Sequence, residues 1–223
     1  MSTVAIDRES PGSVEASPGQ EIANAVTHGI GALLAIAGLV ILVVQAALRG
    51  DAWYVTAYAV FGTSMVLLYL ASTLYHGITA RKTKRVFEIL DHAAIYVLIA
   101  GSYTAFALTL LRPTIGFWLF GSVWAIAAAG IVIEAVFLNR WPLVTVLGYL
   151  LMGWLIVFAW GPLTAVASST MLGFLIAGGL CYTVGTIFYG LGRKQGWFHP
   201  GWHLFVIAGT TCHFFAALAA LPR

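Results

Sequence analysis

The stretch HPGWHLFVIAGTTCHFFAALAAL, residues 199–221, decides the fold. It is apolar for at least the ~20 residues that a helix needs to cross a bilayer. Two imidazoles open it, His199 and His203. On a helix, residues i and i+4 lie on one face, one turn apart. The pair can therefore reach one metal ion, provided a third ligand comes from elsewhere in the chain. Two questions follow: whether the rest of the chain also lives in lipid, and which residue supplies the third ligand.

Composition settles the first. Of 223 residues, 61% are hydrophobic and 9% charged, with a mean hydropathy of +0.93. A soluble domain carries about 25% charged residues. This chain cannot cover itself with polar surface, so lipid is its solvent. Six more apolar runs precede the last one, at roughly 22–48, 52–75, 87–111, 115–138, 142–160 and 168–190. The expectation is an all-α polytopic membrane protein, a seven-transmembrane helix bundle forming one domain over residues 21–223. Residues 1–20, rich in Ser, Pro, Gly and Glu, read as a disordered cytoplasmic tail. Small residues such as Gly173 and Ala177 allow close helix contact. Cys181 and Cys212 fall inside apolar runs and read as buried thiols, not as a disulfide framework.

Lys and Arg set the orientation. With the N-terminus inside, the inner face carries Arg8, Arg81, Lys82, Lys84, Arg85, Arg140, Arg193 and Lys194, and the outer face Arg49, Arg112 and Arg223. The positive-inside rule then predicts a cytoplasmic N-terminus and an external C-terminus, in a multi-pass protein of the cell membrane. The net charge of +3 comes from these short connections and is not a nucleic-acid signal.

That orientation collects the chemistry at one surface. Ser72 and His76, again at i and i+4, close the second helix at the inner face, and Asp91 lies near the start of the third. His199 and His203 start the seventh. All five lie within about two turns of one surface, a turn being about 5.4 Å. Pro200 is tolerated there, because the first turn of a helix does not use its amide. Neutral imidazole is a good zinc ligand, and three protein ligands with one open position is the catalytic arrangement. Asp91 could orient a water or accept its proton, and Ser72 could hydrogen-bond that water or a substrate carbonyl. Each group also has a plainer reading. Asp91 could pair with Arg85 or Lys84, Ser72 could bond back to its own helix, and a histidine at a helix end could sit among headgroups.

The remaining polar residues read as structural. His213 lies ten residues beyond His203, about 15 Å along a helix, too far to share an ion; a helix-packing hydrogen bond is expected. His92 points about 100° away from Asp91, which suits an interfacial or supporting role. Glu134 lies near Arg140 and reads as interfacial or paired. Glu21, Asn24, Thr27 and His28 either cap the first helix or close the site from below. The seventh helix has no lysine for a retinal Schiff base.

Ser72-x3-His76, Asp91-His92-x2-Ile95-Tyr96-x-Leu98-Ile99-Ala100-Gly101-Ser102-Tyr103-Thr104 and His199-x3-His203 resemble the signatures of the hemolysin III family, and so does Glu21-x2-Asn24-x2-Thr27-His28-Gly29-Ile30-Gly31. That family is the mainly bacterial branch of the progestin and adiponectin (PAQR) receptors. The resemblance covers nearly everything after the tail. It implies seven membrane helices and a Zn2+ site near the cytoplasmic side, with His76, His199 and His203 as ligands and Asp91 and Ser72 around the water. It also implies, through ceramidases of the wider superfamily, hydrolysis of a lipid amide. Three classes stay open: a zinc-dependent membrane hydrolase, a receptor-like or homeostasis protein with structural zinc, and a pore-forming cytolysin. The last ranks lowest, because no segment shows the alternating polar face of a channel lining. The partners expected are membrane lipids, with a lipid amide or fatty acid in the bundle, and no nucleic acid.

Overall fold

The computed structural model describes residues 16–138 and 140–222. Among the described residues, seven helical spans follow in succession: α1 (Pro18–Arg49), α2 (Ala52–Gly77), α3 (Arg81–Ala107), α4 (Gly116–Phe137), a fifth span made of α5 (Pro142–Gly153), a 3-10 stretch (Trp154–Ala159) and α6 (Trp160–Val166), then α7 (Ser169–Gly192) and α8 (Phe198–Ala219). All seven are long and apolar enough to cross a membrane, so the chain is a multi-pass membrane protein. Apolar side chains such as Leu33, Trp118, Leu143 and Phe158 point outward, as a lipid-facing surface requires.

Local chemistry sets where the helices begin. Ser17 caps α1: its Oγ accepts from Gln20 N at 3.4 Å, and its own amide donates to Gln20 Oε1 at 2.7 Å. With Pro18 at the first position, this starts the helix inside the segment expected to be tail. Most of that segment, residues 1–15, lies outside the described residues. Asp51 caps α2 by accepting from Trp53 N at 2.9 Å and Tyr54 N at 3.1 Å. Slight desolvation of the Asp51 carboxylate is outweighed by those amides and by Arg112, 3.3 Å away, so its pKa lies below the usual value.

Three boundaries differ from the sequence reading. Arg81–Arg85 is not a loop but the opening of α3, and that helix ends at Ala107 instead of 111. The chain then turns through Pro113 until Gly116, whose missing side chain leaves room for the Ala107 carbonyl and the Leu111 backbone. The fifth span runs on to Val166 and is not one continuous helix. Pro162 has no amide for the Phe158 carbonyl and its ring crowds it. One turn earlier the Tyr103 hydroxyl enters the backbone ladder, accepting from Ile156 N at 2.8 Å and donating to Gly153 O at 2.7 Å. A side chain inserted in this way is a recognised cause of a helix break.

α3 is the most enclosed span, with α2 on one side and α4 on another, while α8 packs between α7 and α1. Hydroxyls tie α2 to α8: Tyr58 donates to Ala217 O at 2.5 Å and Tyr69 to Thr210 Oγ1 at 2.8 Å. The close approach of α7 to α8 does not use Gly173, which faces open space. It uses Gly178, Gly185 and Gly192, each two turns from the next on one face of α7. A methyl at Gly185 would stand 2.9 Å from Trp202 and Phe205. This packing brings the start of α8 down beside the end of α2.

Candidate metal centre

His76 ends α2, and His199 and His203 occupy the first two turns of α8. Their ring centroids are 5.2 Å apart for His76 with either partner and 4.8 Å for the α8 pair. One nitrogen from each ring lies within 4.8 Å of the others, close enough for a single ion. His76 and His203 are buried.

α1 orients two of the three rings. His76 Nδ1 is 2.6 Å from Glu21 Oε2, and the other Glu21 oxygen is 2.8 Å from Lys84 Nζ on α3. A carboxylate on Nδ1 fixes the proton there and leaves Nε2 as the free donor. His76 Nε2 is buried and makes no hydrogen bond within the described residues. His203 Nδ1 lies 3.1 Å from Thr27 Oγ1 and 3.2 Å from Asn24 O. Thr27 already donates to Ala23 O at 2.8 Å, so its hydroxyl accepts from the His203 ring. His28 stacks on His203 with centroids 3.5 Å apart and an 11° interplanar angle. Two imidazoles are thus aimed by hydrogen bonds that consume Nδ1, the pattern a metal ligand requires. The three residues fit a zinc ion, whose structural and catalytic sites are built from such nitrogens.

Glu21, Asn24, Thr27 and His28 therefore close the site and do not cap α1, a role that falls to Ser17. Their spacing of three, three and one places them on one helix face, but spacing alone cannot name what that face meets.

Ser72 and Asp91 are both buried, and with the three histidines they line one cavity. The plainer readings of these two do not hold. Lys84 is committed to Glu21 and to Tyr75 O, and Arg85 to Glu88 at 3.0 Å, so neither pairs with Asp91. Ser72 Oγ makes no bond to its own helix and faces the Asp91 carboxyl. The cavity measures about 1530 Å³ and runs from the basic end, at Lys82 and Arg193, past the histidines to Phe106 and Trp160. Its deeper walls are Ile99, Leu119, Leu150, Ile156 and Leu175, so it passes from a polar mouth into an apolar interior.

The other polar residues stand apart. Glu134 is buried, not interfacial, and pairs with His92 at 3.4 Å and Thr145 at 2.6 Å; the Arg140 guanidinium lies over Phe137 and Trp141 instead. His213 packs against Tyr182 and bonds the Leu175 backbone on α7, the helix-packing bond expected of it, while its Nδ1 makes no hydrogen bond within the described residues.

Comparison with known proteins agrees with the motif pattern. Residues 17–214 match the family described as Haemolysin-III related. The chain is 50% identical over 199 residues to the Hemolysin-3 homolog of Bacillus subtilis (strain 168), covering 89% of this chain and 93% of that protein. It is 46% identical over 199 residues to Hemolysin-3 of Bacillus cereus, covering 89% and 90% respectively. Its similarity to the Homo sapiens monocyte to macrophage differentiation factor is 27% over 212 residues, covering 92% of this chain and 85% of that protein.

Proposed function

The chain belongs to the haemolysin III family, and we propose that within it this protein is a zinc-dependent hydrolase of a lipid amide. The observation that carries the reading is the donor set. Among the described residues, three histidines and no fourth donor converge, with a buried Asp91 and the Ser72 hydroxyl beside it in the same cavity. A structural staple uses four protein ligands, whereas a catalytic site keeps one position open. α2 and α8 are moreover already joined by Tyr58 and Tyr69 without any ion.

His76, His199 and His203 would hold the zinc, which supplies a polarised carbonyl and a water acidified toward neutral pH. Asp91 accepts the proton of the attacking water as its oxygen bonds to the amide carbon. It returns that proton to the nitrogen as the carbon–nitrogen bond breaks, leaving a fatty acid and an amine. Ser72 donates its hydroxyl hydrogen to the carbonyl oxygen, where negative charge develops. Glu21 and Thr27 hold the His76 and His203 rings through the cycle. The acyl chain lies along Ile99, Leu119, Leu150 and Leu175, and the headgroup at the basic mouth. With the N-terminus cytoplasmic, that mouth opens at the inner leaflet. Reporter fusions at Lys82 and at the C-terminus check this: Lys82 inside with the C-terminus outside is expected, and the reverse overturns it.

The test of function is fatty-acid release from ceramide-like lipids by the zinc-loaded protein in nanodiscs. Asp91→Asn should keep zinc by elemental analysis and lose turnover about 10²–10⁴-fold, the scale of a removed acid–base group. Equal background release by the parent protein and the variant across a broad lipid panel would end the hydrolase reading. The zinc would then be the structural element of a receptor-like protein.

A further inference from the structure

His213 lies deep in the cavity, on the same helix as His203 and about 15 Å further along it. It is only 9% exposed; its ring bonds the Leu175 backbone on α7, and its Nδ1 has no hydrogen-bond partner among the described residues. Nearby polar groups are otherwise matched. Thr210 donates to Val206 O at 2.7 Å, accepts from Tyr69 at 2.8 Å and stands 3.0 Å from the Tyr182 hydroxyl. Tyr182 in turn meets the His213 ring edge-on, with centroids 5.3 Å apart. The ring has a made seat: it fills the space beside Gly178 that any side chain there would take. A packed, buried imidazole with an unpaired nitrogen in hydrocarbon is costly unless something in the cavity meets it.

We propose that His213 and Tyr182 form a subsite for a hydroxyl group carried partway along an acyl chain in the cavity. This rests on the reading that an acyl chain occupies that cavity. The chain's end would be held at the histidine triad and the apolar part would run past Ser102, Leu175 and Gly179, which share the wall with His213 and Tyr182. About 15 Å is half of the ~30 Å hydrocarbon thickness, well within the reach of a long chain. A hydroxyl suits the position better than a carbonyl. With the ring N–H directed at the Leu175 carbonyl, Nδ1 is left as an acceptor, to which a hydroxyl can donate and a carbonyl cannot. The protein would therefore favour hydroxylated over plain chains of equal length.

The experiment is competition against a fluorescent fatty acid bound to the zinc-loaded protein in nanodiscs, with stearate and its mid-chain hydroxystearate isomers as competitors. The parent protein is expected to bind one hydroxy isomer roughly threefold to tenfold more tightly than stearate, the worth of one neutral hydrogen bond. His213→Leu should bind stearate at least as well, keep its zinc, and lose the preference. His213→Gln, which retains a polar head, should restore part of it. No isomer preference in the parent protein, or one that survives in His213→Leu, overturns the subsite. If stearate itself fails to compete, the acyl-chain reading of the cavity falls, and the subsite with it.

Discussion

Among the described residues, two histidine–carboxylate pairs each join a buried group to a half-buried one, and only one of them belongs to a candidate metal centre. His76 with Glu21 joins α2 to α1 at 2.6 Å, and His92 with Glu134 joins α3 to α4 at 3.4 Å. In each pair the carboxylate faces Nδ1. What separates them is the far side of the ring. His76 Nε2 is buried, unbonded, and aimed at two more imidazoles, whereas His92 belongs to no such group among the described residues. The Glu134 carboxylate is also shared with Thr145, and the His92 backbone carbonyl accepts from Tyr149 at 2.9 Å. The second pair is thus a polar clamp among α3, α4 and α5. A histidine–carboxylate pair marks an oriented ring; convergence of free nitrogens marks a site.

The largest effect should come from removing a ring. His76→Ala and His203→Ala should lose the zinc or bind it much more weakly, while His92→Ala keeps one ion per chain in elemental analysis. Loss of zinc from the His92 variant would erase the distinction between the pairs.

A smaller effect is expected from the carboxylates. Glu21→Ala should weaken zinc binding roughly 10–100-fold, as removal of a ligand's hydrogen-bonding partner does. Glu134→Ala should leave affinity unchanged in chelator competition and lower thermal stability instead. Its two bonds are each worth about 0.6 kcal/mol on the scale measured for membrane helices. Equal affinities in the two variants would show that α1 does not orient His76.

The smallest effect concerns a carboxylate outside both pairs. Asp51 is exposed between α1 and α2, and its pKa is depressed. Its contribution to stability is therefore present above the unfolded-state value, about 3.9, and is lost as pH falls through the lower folded value. Thermal unfolding of Asp51→Asn should differ slightly from the parent at neutral pH and converge with it in acid. A gap that persists in acid would assign the effect to something other than the charge.

Most of the fold was legible, because lipid demands long apolar runs and the chain supplies seven. The triad was legible too, since helix periodicity and orientation bring His76, His199 and His203 to one surface without knowledge of packing. What escaped depends on contacts between helices. Arg81–Arg85 reads as a loop by charge, yet Lys84 bonds Tyr75 O and Glu21 and so belongs to the ordered start of α3. The break in the fifth span could be suspected from Pro162 alone. That Tyr103, fifty residues earlier than Gly153, bridges its backbone has no local signal at all. The orienting role of Glu21 and Thr27 was half visible: their shared face was evident, but its partners on α2 and α8 were not.

The distribution of the triad along the chain bears on how such a protein is made. Glu21, His76 and Lys84 belong to the first three spans, which leave the ribosome early and can pair while the rest is still being synthesised. Two of the three imidazoles arrive only with α8, the last span. A chain truncated before residue 199 would carry a fully oriented His76 and no centre. Were the triad to hold an ion as proposed, metal retention would be a readout of completed insertion: a chain holding that ion has delivered the starts of its first and last spans to the same side of the bilayer.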